Sequence, residues 1–159
     1  MKVFIKNKLI SWGGGSDVTD ISGNPVFKIK GRVFSIGRRK IMCDLEDNIL
    51  YVIRNRWLNP IRHKTYIKDA EGNRVATVYS KAFDLTRLYA DTEHGQYTVQ
   101  GKFFGLKSSI LRDGVQVAIL ERQFTVIKDA FSLEAAPEDM PFLTALVIAL
   151  DNLCDNRSK

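Results

Sequence analysis

Phe142-Leu143-Thr144-Ala145-Leu146-Val147-Ile148-Ala149-Leu150 is the stretch on which the fold turns. Glu138-Asp139-Met140-Pro141 leads into it, Asp151-Asn152-Leu153-Cys154 follows, and no charge falls between residues 140 and 150. Acidic residues and a Pro at its start suit the positive end of a helix dipole, so the pattern predicts a helix over about 139–154. A helix that is apolar on every side is either buried or crosses a membrane. At about 1.5 Å per residue, roughly 11 to 15 residues reach only ~16–22 Å, short of the ~30 Å hydrocarbon core. The helix is therefore expected inside the protein, with no transmembrane span, and the preceding chain must enclose it.

What precedes it is a recurring hairpin. Asp20, Asp44, Asp69, Asp91 and Asp113 stand 24, 25, 22 and 22 residues apart. Each opens a turn and is followed 11 to 14 residues later by a lone aromatic: Phe34, Trp57, Phe83, Phe104 and Phe124. Repetition at this period marks a repetitive architecture. Asp20-Ile21-Ser22-Gly23-Asn24, Asp69-Ala70-Glu71-Gly72-Asn73 and Asp113-Gly114 are turn-forming runs. Asp and Asn accept backbone hydrogen bonds there, and Gly reaches positive φ without a Cβ clash. The flanking runs are rich in Val, Ile, Tyr, Phe and Thr, and Phe27-Lys28-Ile29-Lys30 alternates cleanly between an apolar and a basic face. A period of two places one face on a core and the other in water.

Strands are thus expected near 2–6, 16–20, 25–33, 39–45, 49–55, 62–68, 74–81, 85–90, 96–103, 106–112, 115–122 and 130–135. An open sheet of a dozen strands curls, splits or closes, and closure removes its edges. A barrel this wide cannot fill its lumen with strand side chains alone. The apolar helix supplies the filling. The expected fold is mainly β: one domain over 1–159, an antiparallel barrel of about twelve strands around a central C-terminal helix. The repeat aromatics are assigned to its core.

The residues that carry this architecture also resemble a known family. Phe34-Ser35-Ile36-Gly37, Ile41-Met42-Cys43-Asp44, Tyr97-Thr98-Val99-Gln100-Gly101, Val117-Ala118-Ile119-Leu120 and the closing Leu146-Val147-Ile148-Ala149-Leu150-Asp151 are similar to LURP-one-related proteins, close to the bacterial YxjI-type members. The similarity runs over almost the whole chain, and its ending is the most specific part. The resemblance implies the fold of the tubby C-terminal domain and of phospholipid scramblases: twelve strands around a hydrophobic C-terminal helix. It implies no defined activity. The tubby domain holds phosphoinositide headgroups with surface Lys and Arg, but no phosphate-binding motif of this chain matches that site residue by residue, and fold analogy alone does not carry function.

The 159 residues are 45% hydrophobic, enough for a core that needs no disulfide staple. Cys43 and Cys154 form no Cys-x-x-Cys pair and read as free thiols of a reducing compartment. The N-terminus, Met1-Lys2-Val3-Phe4-Ile5-Lys6, lacks the apolar run of a secretory signal, so a cytoplasmic location, peripheral at a membrane, is expected. His63 and His94 have no Cys or second His at ligand spacing, and no turn carries a hard-cation loop. Gly13-Gly14-Gly15 lacks the Gly-Lys-Ser/Thr ending of a phosphate loop, and no Gly-x-Ser-x-Gly elbow occurs. No catalytic, metal or cofactor site is predicted, and the reading is non-enzymatic.

The net charge of +6 permits acidic partners. The candidate binding residues are the basic ones on successive strands: Lys28, Lys30 and Arg32; Arg38, Arg39 and Lys40; Arg54 and Arg56; Arg62 and Lys64. Brought together, they would hold phosphate oxygens, with Arg offering forked donors. Trp57, in the turn between two basic strands, suits a headgroup layer. The expected function is a non-enzymatic binding or scaffold module of undefined ligand, with anionic phospholipid or phosphoinositide-like headgroups as its favoured specific partner. The alternative is a protein–protein adaptor in a bacterial stress or signalling pathway; nucleic acid is not the favoured partner.

Overall fold

The structure, a computed structural model, describes residues 1–6, 15–31, 39–56, 64–81, 87–101, 106–124 and 129–155, with backbone alone at 6, 15, 16, 123, 124, 129 and 155. Twelve strands follow one another along the chain: β1 (Lys2–Lys6), β2 (Gly15–Asp20), β3 (Pro25–Gly31), β4 (Lys40–Cys43), β5 (Ile49–Arg56) and β6 (Lys64–Lys68), then β7 (Arg74–Ser80), β8 (Leu88–Thr92), β9 (Gly95–Gln100), β10 (Lys107–Arg112), β11 (Val115–Phe124) and β12 (Asp129–Ala135). Each pairs antiparallel with its neighbours in sequence, and β1 pairs with β12, from Lys2 opposite Glu134 to Lys6 opposite Ala130. The barrel is closed, as the alternation and the edge argument require.

A single helix, α1 (Met140–Asp155), fills the lumen. Leu143 through Cys154 are buried without interruption, as a helix surrounded by sheet must be. It leans on β5, β6 and β7, with a lighter contact to β12. Inward-facing Ile53, Ile67, Val78, Leu88, Ile110, Leu120 and Leu133 close around it, each 1% exposed or less. At its start, Phe142 meets Tyr97 at 5.3 Å and Tyr51 at 6.1 Å between ring centroids. The aromatics at 34, 57, 83 and 104 lie outside the described residues, as does the side chain of Phe124.

Three of the five Asp turns share one geometry. In each, Asp20, Asp44 or Asp69 accepts the backbone N–H of the Asn four residues on, at 2.8–2.9 Å, while that Asn's side chain donates to the other carboxylate oxygen. The fourth loop residue has positive φ: Gly23 at 84°, Gly72 at 90°, and Asp47 at 68° in the loop between β4 and β5. The β10–β11 turn is the tight Asp113-Gly114 pair, with φ of 49° and 85°. The fourth turn departs from the expectation. Asp91 lies within β8, and Thr92 closes the loop by accepting the His94 N–H and donating to the Gly95 carbonyl.

An even number of strands in a simple meander puts all five of these turns at one end of the barrel. The α1 N-terminus begins at that end, because β12 runs toward it. The amino group of Met1, also there, donates to the Ala135 carbonyl at 2.8 Å. The segments joining β1 to β2, β3 to β4 and so on leave from the opposite rim, where α1 finishes.

Candidate functional site

The basic residues singled out in the sequence separate into three groups. Lys28 and Lys30, on the outer face of β3, both reach Asp47, at 3.2 and 2.7 Å. Lys28 also donates to the Leu45 carbonyl. The two lysine ammonium groups hold the Asp47 carboxyl below its usual range, and the Asp47 carboxylate raises Lys30. Lys40 turns inward: it lies opposite Ile53 and reaches Asp151, on the last turns of α1, at 3.7 Å. Arg39 is exposed just before β4. Arg32, Arg38 and Arg62 lie outside the described residues, with Trp57 and His63.

Beside Lys40, Asn55 accepts a hydrogen bond from the Thr65 hydroxyl at 2.7 Å and donates to the Asn152 carbonyl at 3.4 Å. This buried polar cluster meets the backbone of α1 at Asn152, near the end of the helix. It ties α1 to β5 and β6.

The third group converges. Arg54, Arg56 and Lys64 share the outer face of β5 and β6, and the register extends it across β7 and β8 in two rows. One row runs Arg54, Tyr66, Thr77, Asp91; the other runs Arg56, Lys64, Tyr79, Tyr89. Neighbouring positions in a row are roughly 5 Å apart. Tyr79 and Tyr89 stack with centroids 5.6 Å apart. Arg74 lies over the Tyr66 ring at 5.1 Å, Lys81 over Tyr89 at 4.9 Å, and Lys64 near Tyr79 at 6.0 Å. Arg56 donates to the Tyr66 hydroxyl at 3.3 Å. Asp91, the acid in the rows, accepts from Gln96 at 2.8 Å and from the Tyr79 hydroxyl at 3.3 Å. Partial burial and this bond to Asp91 push the Tyr79 phenol upward, so it stays a neutral donor.

Lys68, Arg74, Lys81 and the three tyrosines were absent from the sequence-level candidates. Their outward positions follow from strand parity: side chains two apart share a face, and antiparallel register aligns those faces across strands. The inward partners on the same strands are buried, including Ile53, Ile67, Ala76, Val78 and Ala90. The rows therefore ride on the strands that α1 braces from within. Among the described residues no cluster of His, Cys, Asp and Glu could hold a metal ion, and no helix is long and apolar enough to cross a membrane.

The LURP-one-related sequence model matches residues 1–151. The chain belongs to the LURP-one-related family. A solved structure of a protein from Arabidopsis thaliana is similar in fold, with a TM-score of 0.66 at 20% identity, over 96% of this chain and 91% of that one. At that identity the likeness speaks for the fold alone. No curated protein matches the chain. The closed barrel encloses its helix, and its tyrosine-rich basic face is a property of this chain's own residues.

Proposed function

We propose that this LURP-one-related protein is a non-enzymatic binding module that holds anionic phospholipid headgroups on the outer face of β5–β8 and sits peripherally on a membrane. One contrast carries the reading. Lys2, Lys28, Lys30, Lys40, Lys107 and Arg112 each have a carboxylate within 3.8 Å. Arg54, Arg56, Lys64, Lys68, Arg74 and Lys81 have no ion pair to an acid among the described residues, and Arg56, Lys64, Arg74 and Lys81 face tyrosines instead.

Cations left without carboxylates keep their donors for phosphate oxygens. Tyrosine, with an apolar ring and a polar tip, suits the headgroup layer. The rings are already covered by cations, which leaves little open π-face for the base stacking that single-stranded nucleic acid requires. The face is an open convex sheet surface rather than the dry concave pocket that chemistry calls for.

Sedimentation with vesicles of phosphatidylcholine and phosphatidylserine tests this. Each basic residue near an anionic surface contributes about 1 kcal/mol, so Arg54→Glu/Arg56→Glu/Lys64→Glu should weaken binding by roughly 100-fold or more. Lys28→Glu/Lys30→Glu, whose cations Asp47 already occupies, should weaken it far less. Unchanged sedimentation of the triple variant would remove the lipid reading.

A further inference from the structure

Within the β5–β8 face the polar groups divide into a paired side and an open one. Asp91 stands on the β8 side, where the Tyr79 hydroxyl and the Gln96 side chain both donate to its carboxylate. On the β5–β7 side, three guanidiniums gather about one phenol. Arg56, on β5, donates to the Tyr66 hydroxyl at 3.3 Å. Arg74, on β7, lies over the Tyr66 ring at 5.1 Å. Arg54 stands directly opposite Tyr66 in the β5–β6 register. All three arginines are exposed, and Tyr66 is half-buried between them. Thr77 separates Tyr66 from Asp91 by two strand spacings, roughly 10 Å. Asp69, at the adjoining turn, has its carboxylate bonded by Asn73. Among the described residues the Tyr66 hydroxyl has no acceptor, so its proton is available too.

We infer that Arg54, Arg56, Arg74 and the Tyr66 hydroxyl form a subsite for a terminal phosphomonoester presented by a lipid, as in phosphatidic acid. This rests on the phospholipid reading above and names the headgroup chemistry within it. A long bond to a neutral phenol is a weak partner for a guanidinium, so Arg56 gains by exchanging it for an anion. A phosphomonoester offers three terminal oxygens and roughly 1.5 to 2 negative charges near pH 7. The phosphodiester of phosphatidylserine offers two free oxygens and a single charge. Three planar forks and one O–H match the first set better than the second. The sheet register fixes their spacing, because the forks come from β5 and β7 on either side of Tyr66.

The test compares sedimentation with phosphatidylcholine vesicles that carry either phosphatidic acid or phosphatidylserine, adjusted to the same zeta potential. Wild-type protein should bind the phosphatidic acid vesicles about tenfold more tightly, the equivalent of one added charge-assisted hydrogen bond. Arg54→Lys/Arg56→Lys/Arg74→Lys keeps every charge and loses the forks. It should erase most of that preference while leaving binding to phosphatidylserine within about twofold of wild type. Equal wild-type binding to the two vesicles, or a preference that the triple variant retains, overturns the subsite and leaves phospholipid binding in place. Calorimetry with glycerol 3-phosphate, the same ester without acyl chains, separates the sources: an affinity matching that for the vesicles would assign the ester to a soluble molecule and overturn the lipid. Failure of wild-type protein to sediment with either vesicle overturns both the subsite and the phospholipid reading.

Discussion

Asp47 shows how one residue trades backbone comfort for an electrostatic role. The equivalent loop positions are Gly23 and Gly72, which reach positive φ freely, whereas Asp47 accepts a φ of 68° and holds Lys28 and Lys30. Asp47→Gly should leave the thermal midpoint nearly unchanged, because relief of the backbone offsets two exposed ion pairs. It should also increase sedimentation with anionic vesicles, since two lysines are released.

The turn aspartates have a pH signature of their own. Asp20 is held below the ordinary value of 3.8 by the Asn24 backbone N–H first, and Asp44 by the Asn48 side chain first. Partial desolvation pushes Asp69 the other way, but the Asn73 side-chain and backbone bonds outweigh it. A folded value below the unfolded one gives stability that is complete above pH 3.8 and disappears as pH falls through the lowered folded values. The melting midpoint should therefore drop as the pH is taken below 3.8, and Asp20→Ala/Asp44→Ala/Asp69→Ala should flatten that drop in scanning calorimetry. These turns were legible in the sequence because an Asp that bonds backbone two to four residues away is a local device. Asp91 was misplaced because Thr92 competes for the same role one residue on. The Lys28–Asp47 and Lys40–Asp151 pairs were not legible, since they depend on which strands and which helical turn meet.

Among the elements, α1 is the one the rest depend on. Leu146 is 1% exposed at the middle of the lumen. Leu146→Ala should cost about 2–5 kcal/mol in chemical denaturation, and Leu146→Asp should abolish the cooperative transition, because it buries an unpaired charge. A normal cooperative melt for Leu146→Asp would refute the enclosed helix. Asn55→Ala should cost about 1–3 kcal/mol by leaving the buried Thr65 hydroxyl without its acceptor and removing a bond to the Asn152 carbonyl. All twelve strands and the helix could be placed from periodicity and turn chemistry to within a few residues, because each of those signals lies within a dozen positions of chain. The polar cluster at the helix end could not. Asn55 and Thr65 read as ordinary strand residues until the helix is set against β5 and β6.

At the scale of the whole molecule, the turn acids are placed by topology. In a meander of even strand number, alternate connections share an end, so acids recurring at every second connection accumulate at one pole. The sequence already held this pattern in the Asp period, but the basic residues were grouped by nearness in the chain rather than by strand parity. That grouping joined Lys28 and Lys30 to Arg54 and Arg56, which the register separates by Ile41 and Val52 on the outer surface. The basic outer face of β5–β8 predicts a strong salt dependence. Raising NaCl from 0.1 to 0.5 M should release most of the protein from phosphatidylserine vesicles, while vesicles of phosphatidylcholine alone should bind little at either concentration.

The seam between β1 and β12 has a kinetic consequence. Hairpins can form as neighbouring strands appear, but the cylinder joins residues such as Val3 and Leu133 that stand 130 positions apart in the chain. Loop-closure entropy makes such contacts late, and folds rich in them fold slowly. During synthesis the first eleven strands therefore wait as a curling ribbon with a bare apolar concavity. It is the emergence of the final thirty or so residues that both zips the wall and occupies the hollow. Until then the ribbon is the form most exposed to aggregation, and the one that a holding chaperone would recognise.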